Sequence, residues 1–584
     1  MDYYGPMSRF HRFLYLTLVA SCVGASTWAA APKAEIPDNS NMKAELFYQL
    51  LVSEMTANAG DRGSAYALML DAARKFQSPR LYERAVEIAL VARSGESALE
   101  AAQAWARAFP SSQEANRLQL QILIGLNRIA ETQEPLKREL ATLSIPERIA
   151  AIHVVPRYFA RVTDKKLAAS VIEKALATDA DNRNTGATAW AAIGTMRMQA
   201  EDVDGALEAA RRGAAMDADS EHPPLLAIAL IDPKRPMAET MVRRYLAGKP
   251  TAEVRMTYAR NLINTQRYAD AYGQMQALTE EQPQFPEAWL MRGSLELQSA
   301  NLTQAETSLK KYIDLTPAHP ESPSNPGMGR GLVQAYLLLS QVAEQGQRLE
   351  EAKAYLDKVD SPSDALRVER RRATILAQQG RLDDARATIR NVPEVHAGDT
   401  LAKINAEVQL LRENRRYAAA YDLLQDASPR YPEDIDLQYD LAMMAERLGK
   451  TDEMEQLLRK IMAAKPDFHH AYNALGFSLA ERNIRLNEAR ELIRQALVYS
   501  PDDPFIVDSL AWVEFRAGNS TEALRLLQSA FQARPDAEIA AHLGEVLWSL
   551  GQRDQASAIW KEGAQLSPQN ETLRETMQRL RGNP

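Results

Sequence analysis

In the C-terminal third of the chain, a large apolar residue followed by a small one recurs at a nearly fixed interval. Leu441-Ala442, Leu475-Gly476, Leu510-Ala511 and Leu543-Gly544 stand 34, 35 and 33 residues apart. Another small residue follows each of the last three pairs, at Ala489, Ala523 and Ala556, and a large apolar residue comes four positions later, at Ile493, Leu527 and Trp560. The earliest pair carries Met454 in the small position. Apolar residues between these points return every three to four positions, the period of an amphipathic helix. Each interval therefore predicts two antiparallel helices. Pro432, Pro466, Pro501, Pro535 and Pro568 punctuate the intervals, because proline lacks an N–H and clashes with the preceding turn.

The residue types follow from sterics. Where two helices nearly touch, only Gly, Ala or Ser fits without separating the backbones. Gly449, Gly518 and Gly551 sit where the chain must turn, a place that tolerates positive φ. A period near 34 with small residues in fixed register resembles the tetratricopeptide repeat. The resemblance implies an all-α fold, a tetratricopeptide α-solenoid (superhelix) of about eleven helix-turn-helix units. The best single match upstream is Trp289, Gly293, Ala305 and Leu309. Gly476, Ala523, Gly544 and Ala556 are the clearest structural positions downstream. Weaker units carry Gly346 and Ala352, Gly380 and Ala385, and Tyr417 and Ala420, and one near the N-terminus carries Trp190, Gly194 and Ala206. Stretches 111–185 and 214–250 are helical by periodicity, with poor consensus. The organisation read from the chain is a signal over 1–21, a tether over 22–43, a degenerate array over 44–250, a central array over 251–432, a regular array over 433–569 and a polar capping helix over 570–584. Solenoids need such a cap, because the last unit has no neighbour to cover its apolar face.

Composition narrows the function. With a net charge of −8 and no block of Lys and Arg, nucleic acid is not expected as a main ligand. The one cysteine is Cys22, so no intrachain disulfide and no thiol chemistry is expected in the repeats. Ser8 to Arg12 is basic and Phe13 to Ala20 is short and apolar, the pattern of an export signal. Asp2 fits poorly in such a region, which points to Met7 as the true start. Val19-Ala20-Ser21-Cys22 resembles the lipobox of bacterial lipoproteins. That resemblance implies a diacylglycerol on the Cys22 thioether and a lipid anchor on the periplasmic face of a membrane. Val23 stands where aspartate would resemble an inner-membrane retention signal, which favours the outer membrane. The competing reading is a secretory signal cut after Ala25 or Ala29, leaving a soluble periplasmic protein.

The concave wall of such a solenoid is lined by fixed positions of each first helix. In the last strong units these are His470, Asn473 and Phe477, then Phe505, Asp508, Trp512, Phe515 and Arg516, then Glu538, His542, Glu545 and Trp548. Aromatic residues and arginine dominate protein-binding hot spots, so this wall is the candidate partner surface. Inter-helix packing is the competing reading for Trp512 and Trp548. The wall lacks the Lys/Asn set by which some tetratricopeptide domains clamp a chain-terminal carboxylate. His469-His470 are helix neighbours that should face apart, and no metal or cofactor is expected. The glycine-rich run Pro326 to Gly331 follows a proline-rich stretch rather than a strand and reads as an inter-unit loop. No nucleophile, base and orienter come together, so no enzyme is expected.

The runs Ala471 to Phe477, Ala511 to Val513 and Ala540 to Trp548 are similar to long proteobacterial tetratricopeptide lipoproteins that partner the carboxyl-terminal processing protease. That resemblance implies a non-catalytic adaptor that tethers a periplasmic protease near the outer membrane and presents cell-wall hydrolases to it. A generic envelope-assembly scaffold, in outer-membrane protein insertion, polysaccharide export or lipoprotein trafficking, is the alternative.

Overall fold

The computed structural model describes residues 43–316 and 327–581. The export signal, Cys22 and nearly all of the tether lie outside the described residues, as does the stretch 317–326. Among the described residues every regular element is helical: 31 α-helices and two short 3₁₀ turns. The chain divides into two compact units, Met1–Thr251 and Ala252–Pro584.

The predicted helix pairs form, and the small residues hold them together. In the pair Pro286–Gln298 and Leu302–Leu315, a Cβ on Gly293 would lie 2.7 Å from Leu309 Cγ, and Ala305 is fully buried. A Cβ on Gly476 would lie 2.5 Å from Ile493 Cγ1 and 2.9 Å from the Ala489 carbonyl. On Gly544 it would enter the Trp560 indole. Side-chain volume, not conformational freedom, selects glycine at these sites. The turns do need the left-handed region: φ is +73° at Gly449, +88° at Gly518 and +80° at Gly551. Ala300, Arg415 and Gln266 take the same conformation at φ 55–60° in other units, so the turn persists where glycine is lost. Gly346 was expected at this turn, but Gln347 is the residue with positive φ.

Four of the five punctuating prolines lie two residues past a helix end, as with Tyr499 and Pro501, Ala533 and Pro535, and Leu566 and Pro568, while Pro432 lies five past Ala427. The intervening residue leaves the helical region, with ψ of 76° to 99° at Ser500, Arg534 and Ser567. That is the steric effect of a following proline. The extra residue near Asn483-Ile484 is absorbed by two left-handed residues, Asn483 and Arg485. The glycine-rich run is not a loop. Gly327, Gly329 and Gly331 open a 19-residue helix, Gly327–Gln345, and a side chain on Gly331 would collide with the Tyr312 hydroxyl.

Consensus is poorest in the first unit, which departs from regular helix pairs at several points. A 3₁₀ turn occupies Ile129–Thr132, Pro156 lies inside the helix Ile145–Tyr158, and His222–Ala229 has only eight residues. The two terminal helices differ. Glu571–Arg581 packs Leu573 and Thr576 inward against the helix before it in space, Ala537–Ser549. At the other end, Ala44–Asn58 leaves Phe47, Tyr48, Leu51 and Met55 exposed at 58, 68, 46 and 62%. Their spacing of three to four residues places them on one helix face.

Candidate functional site

The inner positions of successive helix pairs face one another across about one repeat. Asp508 meets His542, Glu545 meets Arg579, and Thr188 meets His222, each 34 residues along the chain. Wall side chains in one repeat are therefore partnered by wall side chains of the next.

In the last repeats this pairing builds a buried network. His542, 4% exposed, places Nδ1 2.9 and 3.0 Å from the two oxygens of Asp508, 6% exposed. The Trp512 ring stacks on the imidazole, with centroids 4.4 Å apart and planes at 26°. The indole N–H of Trp512 donates to the Glu481 carboxylate, and Arg516 donates to the Glu481 carbonyl at 3.3 Å. Phe477 closes the other side, 5.8 Å from His542. Burial opposes the charged imidazolium, but the charge and hydrogen bond of Asp508 outweigh it, reinforced by Glu538 and Glu481, and His542 is raised above its ordinary value. Asp508 thus favours the imidazolium form of His542 more than water does for a free histidine.

Phe477, Asp508, Trp512, Arg516 and His542 thus come together, Glu545 pairs with Arg579, and several of these side chains are consumed by packing. Trp512, Asp508 and Glu545 are buried, while Phe505, Phe515, Arg516 and Trp548 are half-buried. Trp548 lies 5.5 Å from Trp560 and carries the Arg553 guanidinium 5.0 Å from its ring. Asn473 is half-buried, and its Oδ1 has no hydrogen-bond partner among the described residues. His470 stands apart and exposed, near Phe468 and Tyr439. The His469 and His470 rings approach to 4.0 Å despite being sequence neighbours, because they occupy the first turn of their helix, where ring orientation is less constrained. Among the described residues no group of three or more His, Cys, Asp or Glu side chains could hold a metal.

Open volume on the wall lies further back, where the sequence offered no candidate. Two cavities of about 460 and 470 Å³ share Gln409 and Glu413. The first is lined by Arg367, Arg370 and Arg371 from the helix Ala365–Gln378. The second is lined by Tyr439, Asp440, Met443 and Glu446 from the helix Ile435–Arg447, with Tyr417. Burial pushes the Asp440 and Glu446 carboxyls up and the Tyr439 hydroxyl to about 12. A cavity of about 310 Å³ in the first unit is lined by His153, Arg157, Thr188, Gln199 and His222 among others. There burial, aided by His153, lowers His222. The signal for all three was the register itself: the inner positions of weak units can be counted from the strong ones.

Models of the tetratricopeptide repeat match residues 258–320 and 509–571, and a second such model matches 333–361. The chain is 36% identical over 211 residues to the TPR repeat-containing protein PA4667 of Pseudomonas aeruginosa, covering 36% of each. It is 25% identical over 193 residues to the human protein O-mannosyl-transferase TMTC1, and 24% identical over 180 residues to the cellulose synthase 2 operon protein C of Komagataeibacter xylinus. It spans 36, 21 and 14% of the lengths of these three relatives. Among solved structures, the Thermus thermophilus TPR protein TTC0263 aligns over 29% of this chain and 92% of its own, at 22% identity and a TM-score of 0.27. The Cut9–Hcn1 hetero-tetramer of the APC/C aligns over 85% of this chain and 95% of its own, at 12% identity and a TM-score of 0.31.

Proposed function

We propose that this tetratricopeptide chain is a non-catalytic protein-binding scaffold, held by a lipid on Cys22 at the periplasmic face of the outer membrane. In this reading it binds a carboxyl-terminal processing protease and presents cell-wall hydrolases to it. The observation that carries the protein-binding role is the exposed stripe Phe47, Tyr48, Leu51 and Met55 on the helix Ala44–Asn58. A terminal solenoid helix is normally polar outside. Four large apolar side chains on one face instead favour a protein contact, and this one would form next to the tether. An array of packed helix pairs, each contacting only its neighbours, fits a scaffold. The resemblance of the C-terminal runs to the protease-partner lipoproteins supplies the choice of partner.

The test is affinity isolation of the tagged full chain from detergent-solubilised envelope, beside the double variant Leu51→Glu, Met55→Glu. Recovery of a processing protease by the wild type, and its loss with the variant, is the expected result. Recovery of an assembly machine in its place would overturn the adaptor role. Polysaccharide export is the second reading, favoured by the similarity to a protein named for a cellulose synthase operon.

A further inference from the structure

Within the scaffold reading, on which this inference rests, we propose that the two central cavities form one two-lobed site for an extended protein segment, which places a side-chain carboxylate among Arg367, Arg370 and Arg371 and an uncharged apolar side chain beside Tyr439 and Met443.

Continuity comes first. The lobes share Gln409 and Glu413 as a common wall, so one extended strand reaches both. Charge selects the occupant of the first lobe. Three arginines face a single glutamate there, in a chain whose net charge is −8. Two of the three are already engaged, Arg367 with Asp364 at 3.6 Å and Arg371 with Glu344 at 2.6 Å. Arg370 is exposed and has no acidic partner among the described residues. Burial works against the charge on Arg371, and Glu344 and Glu413 offset only part of that; its Nε is buried without an acceptor. An incoming carboxylate would complete this set, and a guanidinium fork suits carboxylate geometry.

The second lobe selects differently. Glu413, Asp440 and Glu446 line it, more carboxyls than the two guanidinium groups of Arg412 and Arg447, so a further anion is disfavoured. Arg412 lies 3.1 Å from Asp440, and the charges of Arg447 and Arg482 act on Glu446, so a cation gains little. What remains is contact with Tyr417, Tyr439, Met443 and Met444, a surface for an apolar side chain.

The test uses the full chain and fluorescein-labelled, carboxyl-amidated peptides, read by fluorescence anisotropy. Each peptide carries one glutamate and one leucine separated by a serine–glycine spacer of graded length. At least one spacing should bind. Changing its glutamate to glutamine should weaken binding about tenfold, and changing its leucine to serine should weaken it comparably. Arg370→Gln, an exposed position expected to fold normally, should abolish the preference for glutamate over glutamine and leave the glutamine peptide unchanged. Equal binding of the glutamate and glutamine peptides, indifference to Arg370→Gln, or no binding at any spacing would each overturn the site. The scaffold reading fails separately, when the wild-type chain retains no envelope protein.

Discussion

Replacing Asp508 with alanine should loosen the last helix pairs and invert their response to pH. At 2.9 Å, with an effective dielectric near 20, the attraction between Asp508 and a protonated His542 is about 6 kcal/mol. Desolvating both groups costs several kcal/mol each, so the pair as a whole contributes little net stability. Removing one partner is different, because an uncompensated buried charge remains; the expected cost is about 3–5 kcal/mol. His542 can reduce that cost by losing its proton, so the lower end applies above neutral pH. Because its folded pKa is raised above the unfolded value of about 6.5, His542 contributes stability that is fully present below that value. The contribution is lost as pH rises through the folded pKa. In Asp508→Ala, burial dominates and lowers the histidine, so this region should instead gain stability as pH rises through the unfolded value. Solenoids open locally, so the assay is hydrogen exchange on peptides spanning 504–516 and 537–549, corrected for intrinsic rates. Asp508→Ala combined with His542→Phe should recover most of the loss. Unchanged protection in Asp508→Ala, or a wild-type protein whose protection rises from pH 6 to 8, would refute the argument.

Gly544→Leu should lower the melting temperature of the C-terminal array, since even a Cβ enters the Trp560 indole; overpacking of this kind costs about 1–3 kcal/mol. Ala305→Phe and Ala523→Phe should behave alike in thermal denaturation, both alanines being fully buried, and an unchanged profile would mean the helix register is misassigned. Cys22→Ala should move the protein from the membrane to the soluble fraction on sedimentation, and persistence with outer membrane would exclude a lipid on Cys22.

The fold was legible because its determinants are local and repeated. Gly293, Gly476 and Gly544 are set by one close approach each, and the same approach recurs every repeat. The turns were legible for the same reason, although Ala300 and Arg415 show that the left-handed position survives without glycine. The wall was harder to read. Trp512 looks like a binding residue in its own helix, and only His542, arriving from the following repeat, shows that its face is covered. The arginine and tyrosine lobes went unseen because inner positions obey no shared residue type. The arginine lobe also lies in a unit whose packing residues are weak, that of Ala365–Gln378.

Pairing of wall residues between neighbouring repeats, about 34 residues apart, also constrains how this chain can change length. Deleting or duplicating one whole repeat would bring Asp508-like and His542-like positions back into register. Any other insertion inside a helix would rotate the wall residues just beyond it away from their counterparts in the preceding repeat. The added residue at Asn483-Ile484 escapes this because two left-handed residues in the turn take it up before the next helix begins. The repeat is thus a quantum of length, and turns are where fractional changes can be stored.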